Sequence, residues 1–296
     1  MVVGTIFGMF IRVDGKPQIC MLVSIAGCIL NGVLDFFFVD IMRFGIQGSA
    51  VASLMVQLLT VLVQMFYFIS RKTGIGFRKF SFDRGINKEM ILNGSSEFIG
   101  EMASAISMFM FNYVIMKYVG AEGVAAFTIL GFVVYGYSMI CIGFGQGIQP
   151  LLGYCVGAKN WQRYKESLRF SVIFGFGLST VMTIVCYMFD HQIVSAFLSD
   201  PEALSYGIEF SRILLTTSFL FGMFYVLSNA LQAMGAATSA LIINISRQGL
   251  IYIPAIFILQ VIVGMDGLLW AQPVADVLSV ILVIILYRIT VKKMQN

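Results

Sequence analysis

One histidine, His191, occurs in the whole sequence, and it lies in a polar connection between apolar runs. That scarcity excludes a histidine-based catalytic triad and a histidine zinc site. Five cysteines (Cys20, Cys28, Cys141, Cys155 and Cys186) stand singly in apolar segments, with no CxxC pair. Spaced in this way they fill space rather than bind metal or close disulfides. No HExxH, paired-aspartate motif or Ser/His arrangement is present, so the chain is not read as an enzyme. Charge is scarcest of all, at 11% of residues, where an ordinary soluble domain carries roughly 25%. What fills the chain instead is apolar: 59% of its 296 residues are hydrophobic, and the mean hydropathy is +0.90. No water-soluble fold of this size could bury so much. The composition predicts an all-α polytopic membrane protein.

Apolar runs long enough to cross a bilayer need about 20 residues. Such runs occupy 17–42, 46–70, 88–118, 123–153, 166–190, 205–232, 237–262 and 267–290. Those at 88–118 and 123–153 exceed a straight crossing, which predicts tilt, kinks or extension beyond the bilayer. Met1–Ile11 is too short to cross and reads as the last half of a helix. Lysine and arginine concentrate in the connections at 12–16, 71–88, 159–169 and 288–293. The opposite connections hold only Arg43 and Lys117, beside the acidic corner Asp190, Asp200 and Glu202. Basic residues stay cytoplasmic on insertion, so the first set faces the cytoplasm and the eight runs alternate in direction. The net charge of +4 is thus a topology signal, and a nucleic-acid partner is excluded.

A long-range repeat organises the chain. Leu231–Ser279 and Phe10–Ser53 share a layout about 220 residues apart, which suggests a transporter of two related lobes with its site where they meet. Gly15 matches Gly235, Gly45 and Gly48 match Gly264 and Gly267, and Ala52 matches Ala271. The expected organisation is the end of a first lobe at 1–70, a cytoplasmic linker at 71–87 and a six-helix second lobe at 88–296. Completing the first lobe to six would require three to four helices upstream.

The stretches IRVDGKP, ILNGVLDFFFV and FGIQGSAVAS resemble the MATE (multidrug and toxic compound extrusion) family near the end of its first lobe. GSSEFIGEMASAISMFMFN (94–112) resembles the opening helix of the second lobe, and 125–160 the next helix and loop. LQAMG, RQGLIYIP and MDGLLWAQPVAD resemble the last three helices. The resemblance implies a MATE-like two-lobe helical bundle in the inner (cytoplasmic) membrane, a monomer when full length. It implies an antiporter exporting organic cations or other amphipathic compounds by alternating access, with H+ or Na+ as coupling ion and no other cofactor. Family members commonly carry an ion-linked aspartate on the first helix, which the resemblance does not find in this sequence. Some place an acid on the fourth helix of the second lobe, but Ile213–Gln232 has none, so sodium coupling through that pattern lacks its ligand. Two other readings stand beside this one: a lipid-linked oligosaccharide flippase of the same superfamily, and a non-transporting fragment.

Charges within the hydrocarbon are costly, which makes each a functional candidate. Counting from helix ends places Glu97, Glu101 and Arg247 at one depth and Asp276, Asp35, Glu209 and Arg212 in the outer half. Glu97 and Glu101 share a helical face, and two carboxylates that repel in a low dielectric suit proton binding and release in each cycle. The competing reading is a structural ion pair with Arg247 as counter-ion. Asp276 follows Pro273 by three residues, where a freed carbonyl could join it as a cation ligand, or where it could cap a kink. Asp35, with Asn31 one turn earlier, resembles a polar patch of the family's first lobe; it could equally reach the outer surface. Glu209 and Arg212 are expected to satisfy each other. Phe111, Tyr135 and Tyr137 are candidates for the cavity wall. GFGQG (143–147) evokes a nucleotide loop, but it sits in an apolar run with no preceding strand, so close helix packing or a bend is the better reading.

Overall fold

The computed structural model describes residues 2–70, 83–118, 120–197 and 201–295. Among these residues every regular element is helical. Seven helices are long and apolar enough to cross a membrane, or eight if the bent pair Leu204–Ser218 and Phe221–Ala233 is one span. The chain is a multi-pass membrane protein. Its exterior is apolar, unlike a soluble domain's: Phe66, Phe132 and Ile262 are exposed, and a few small polar residues, Ser107, Ser179, Ser218 and Asn229, are buried within the apolar interior. Greasy side chains face lipid at no penalty, and small polar ones let helix backbones approach.

The chain separates into two compact units, Met1–Phe82 and Asp83–Asn296. In the first, α1 (Val2–Val13) turns at Gly15, where φ is 81°. Pro17 then opens α2 (Pro17–Asp35) at its first turn, where a missing N–H loses nothing. A π segment, Phe36–Ile41, completes this span, and α3 (Gly45–Ile69) returns. Ile11, Cys20 and Phe68 form the small core. At the turn end, the Tyr67 hydroxyl donates to Asp14 Oδ2 at 2.6 Å, and Lys16 Nζ lies 5.4 Å above the Tyr67 ring.

The second unit begins with α4 (Arg84–Tyr118) and α5 (Ala121–Gly157). The apolar crossing part of α4 is Phe98–Tyr118, so its extra length extends past that window. α6 (Trp161–Met188) and the short α7 (Asp190–Ser195) follow. The predicted run 205–232 is two helices, α8 (Pro201–Ser218) and α9 (Phe221–Ala233), bent by 48°. Neither proline nor glycine sits at the break. Its cause is side-chain insertion into the backbone ladder. The Tyr137 hydroxyl lies 2.8 Å from the carbonyl oxygens of Ser218 and Ser179 and shares its hydrogen between them. Ser179 Oγ donates to the Phe219 carbonyl at 2.6 Å. A Cβ on Gly222 would fall on the Gly175 carbonyl, so α9 and α6 cross nearly backbone to backbone.

Last come α10 (Ala237–Ile245), a π segment Ser246–Leu250, α11 (Tyr252–Val263) and α12 (Met265–Gln295). The repeat's paired turn glycines adopt the same rare backbone: φ is 81° at Gly15 and 70° at Gly235, and 56° at Gly45 and 74° at Gly264. Side chains rarely tolerate that region.

Candidate functional site

Asp276 on α12 is 1% exposed. Its Oδ1 accepts from Arg247 Nε at 2.9 Å and from Gln272 Nε2, one turn earlier, at 3.0 Å. Its Oδ2 accepts from Thr217 Oγ1 at 3.2 Å. Thr217 lies just before the break in the bent span. From just after the break, the Tyr225 hydroxyl accepts from Arg247 Nη1 at 2.7 Å. The guanidinium carbon lies 4.3, 5.0 and 5.4 Å from the ring centres of Phe221, Phe224 and Tyr225. A buried ion pair persists when its remaining polar atoms are satisfied, and here bonds and aromatic faces do that. The two helices of the bent span thus hold opposite ends of one ion pair.

The π segment aims Arg247 inward. Ile251 N donates to the Ser246 carbonyl at 2.9 Å, spanning five residues instead of four. The widened turn leaves the Gln248 carbonyl to accept from Ser107 Oγ of α4. α4 packs along α10 and this segment, with Gly100 against Asn244 and Gly249 against Ala103. That packing brings Glu101 to the same space.

The space is a cavity of about 210 Å³ within the second unit. Glu101, Tyr135, Tyr225, Arg247, Tyr252 and Asp276 are on its wall. Glu101 is exposed, and among the described residues it has no ion-pair or hydrogen-bond partner. The cavity can therefore offer one unengaged carboxylate amid aromatic faces to a cation or a proton.

The sequence expectations divide on this site. Glu101 and Asp276 share it, although residue counting put them in different layers. Arg247 is a counter-ion, but its partner is Asp276 rather than Glu101. Counting tracks Cα depth, whereas the long arginine side chain and the π turn shift where the charge sits. The Glu97 side chain lies outside the described residues. Asp276 takes Arg247, Gln272 and Thr217 as its hydrogen-bond partners. Asp35 and Asn31 belong to the first unit, where Asn31 Nδ2 donates to Ser53 Oγ at 3.3 Å and Asp35 Oδ1 is buried without a hydrogen bond. Arg212 pairs with Asp190 at 2.8 Å, not with Glu209, because the turn into α7 carries Asp190 beside α8.

Of the three aromatic candidates, Tyr135 is on the cavity wall. Phe111 stacks on Phe127 in the core at 4.0 Å, and Tyr137 serves the helix break. In GFGQG, a Cβ on Gly145 would lie 2.7 Å from Asn229 Nδ2 and 3.0 Å from the Tyr225 carbonyl, so the run is a close helix crossing. Thr217, Tyr225, Gln248 and Gln272 were missed because they are neutral. Only Gln272, four residues before Asp276 on one face, gave a sequence signal.

Comparison with known proteins identifies the family and the fold. The MatE family profile matches residues 98–258. The chain is 24% identical over 291 residues to the multidrug export protein MepA of Staphylococcus haemolyticus, spanning 96% of this chain and 64% of that protein. It is 24% identical over 285 residues to MepA of Staphylococcus aureus strain MW2, spanning 94% and 62%. The chain thus covers less than two thirds of these relatives. Among solved structures, MATE in complex with MaL6 is similar at a TM-score of 0.92 and 21% identity, over 99% of this chain and 67% of that one. An outward-facing multidrug resistance MATE transporter of the MOP superfamily gives 0.89 and 21%, over 96% and 65%. The chain belongs to the MatE family of transport proteins.

Proposed function

We propose that this chain is the larger part of a multidrug antiporter of the inner membrane, exporting organic cations or other amphipathic compounds in exchange for H+ or Na+ by alternating access. The observation that carries this reading is Glu101, a carboxylate without a described partner, opening on a cavity that Tyr135, Phe221, Tyr225 and Tyr252 line. Aromatic faces attract a cation and bury its apolar body. The carboxylate holds either the cation or a coupling ion, because one negative charge is neutralised once. Exchange follows when cargo and ion compete there while favouring different conformations. The MepA relatives are multidrug export proteins, which supports the cargo class. A flippase for lipid-linked sugars gains little support: Arg247, the one basic residue among the described lining residues, is already bound to Asp276.

Ethidium efflux from a pump-deficient bacterium expressing the complete reading frame tests the proposal. Glu101→Gln is expected to lower energised efflux at least about tenfold, the loss that about 1.4 kcal/mol of lost interaction brings, and dissipating the ion gradients should abolish it in the parent. Efflux by well-expressed Glu101→Gln equal to the parent's would sink the reading.

A further inference from the structure

Apart from tyrosines, the ionisable side chains lining the cavity among the described residues are Glu101, Arg247 and Asp276. Two of them cancel. Arg247 and Asp276 meet at 2.9 Å with side-chain exposures of 7% and 1%, so water and salt screen their attraction little. Asp276 accepts on both oxygens, from Arg247, Gln272 and Thr217. Arg247 is held by the Tyr225 hydroxyl and three aromatic rings. Neither can turn to an incoming ion without breaking buried bonds. Glu101 is exposed and unengaged by comparison. The described lining, with two carboxylates and one guanidinium, therefore presents one net negative charge.

We infer that Arg247 is a specificity-determining residue: by cancelling Asp276 it fixes the preferred cargo as a single positive charge. The inference rests on the reading that this cavity takes organic cations. A monocation finds Glu101 and an otherwise neutral aromatic wall. A dication brings a second charge that is desolvated without a partner, and a low-dielectric site penalises that strongly. Without Arg247, Asp276 would supply that partner.

The test is binding of two dyes to the purified full chain, followed by fluorescence. Ethidium is a planar aromatic monocation; propidium has the same ring system and a second, quaternary ammonium charge. Arg247→Gln uncovers Asp276 and is expected to raise the propidium-to-ethidium affinity ratio at least about tenfold, between the effect of one extra charge contact screened as in bulk water and that of one at a partly buried site. Asp276→Asn leaves Arg247 positive, and the ratio should fall while ethidium itself binds more weakly. The double variant Arg247→Gln/Asp276→Asn has neither charge and no lone buried ion. Its ratio should match the parent's, whatever happens to either affinity alone, which separates charge from the size difference between the dyes. If Arg247→Gln does not fold, Asp276→Asn and the double variant make the same comparison with opposite sign. A ratio that stays fixed in the single variants, or shifts alike in the double variant, overturns the inference while ethidium binding by the parent leaves the cation reading standing. A parent that binds neither dye overturns the cation reading, and the inference with it.

Discussion

At the scale of the residue, Arg247 and Asp276 have both structural and electrostatic roles. A buried pair contributes less than its geometry suggests, since each ion was desolvated to form it, but removing one partner strands the other. Arg247→Met or Asp276→Leu alone is therefore expected to destabilise the folded chain by about 3–5 kcal/mol, whereas the two together should be near neutral. Thermal unfolding in detergent reads this directly; single variants as stable as the parent would mean that the pair is open to water. Glu101 was visible in the sequence because a charge in an apolar run stands out. Its surroundings were not, because Tyr135, Tyr225 and Gln248 are neutral and come from three separate helical segments.

At the scale of the element, the decisive feature is the break between α8 and α9, which puts Thr217 and Tyr225 on either side of one ion pair. Gly222 makes the crossing with α6 possible, and a Cβ there has nowhere to go but into the Gly175 backbone. Gly222→Ala is expected to cost folded protein severely, at the several-kcal/mol end of overpacking effects. Gly177→Ala, on the same α6 helix with nothing within 4 Å of its added Cβ, should instead gain about 0.5–1 kcal/mol of helix propensity. Yield of monodisperse protein and its melting temperature distinguish them, and equal behaviour would refute the crossing. Hydropathy located the span at 205–232 but not its bend, since the atoms that make the bend belong to Tyr137 and Ser179 on other helices. The π turn at Ser246–Leu250 escaped for the same reason: Ser107, on α4, takes up the carbonyl of Gln248. Turns were easier to read. Gly15, Gly235, Gly45 and Gly264 are local requirements of the backbone, and a local requirement shows in a local sequence.

At the scale of the whole molecule, an apolar exterior and a sparingly polar interior leave few places where charge can stand unpaired. The long apolar runs and their basic connections made the membrane architecture legible, because lipid constrains every span in the same way. The cavity was less legible, since it depends on which faces of α4, α5, α9, the π segment and α12 converge. The central property proposed for it is competition between cargo and coupling ion for Glu101. The most direct measurement is ethidium affinity for the purified chain as pH is lowered and, separately, as Na+ is raised. The account predicts that at least one of these ions weakens binding competitively in the parent and that neither does so in Glu101→Gln. Ethidium affinity independent of both ions, or the same competition retained in Glu101→Gln, would contradict it.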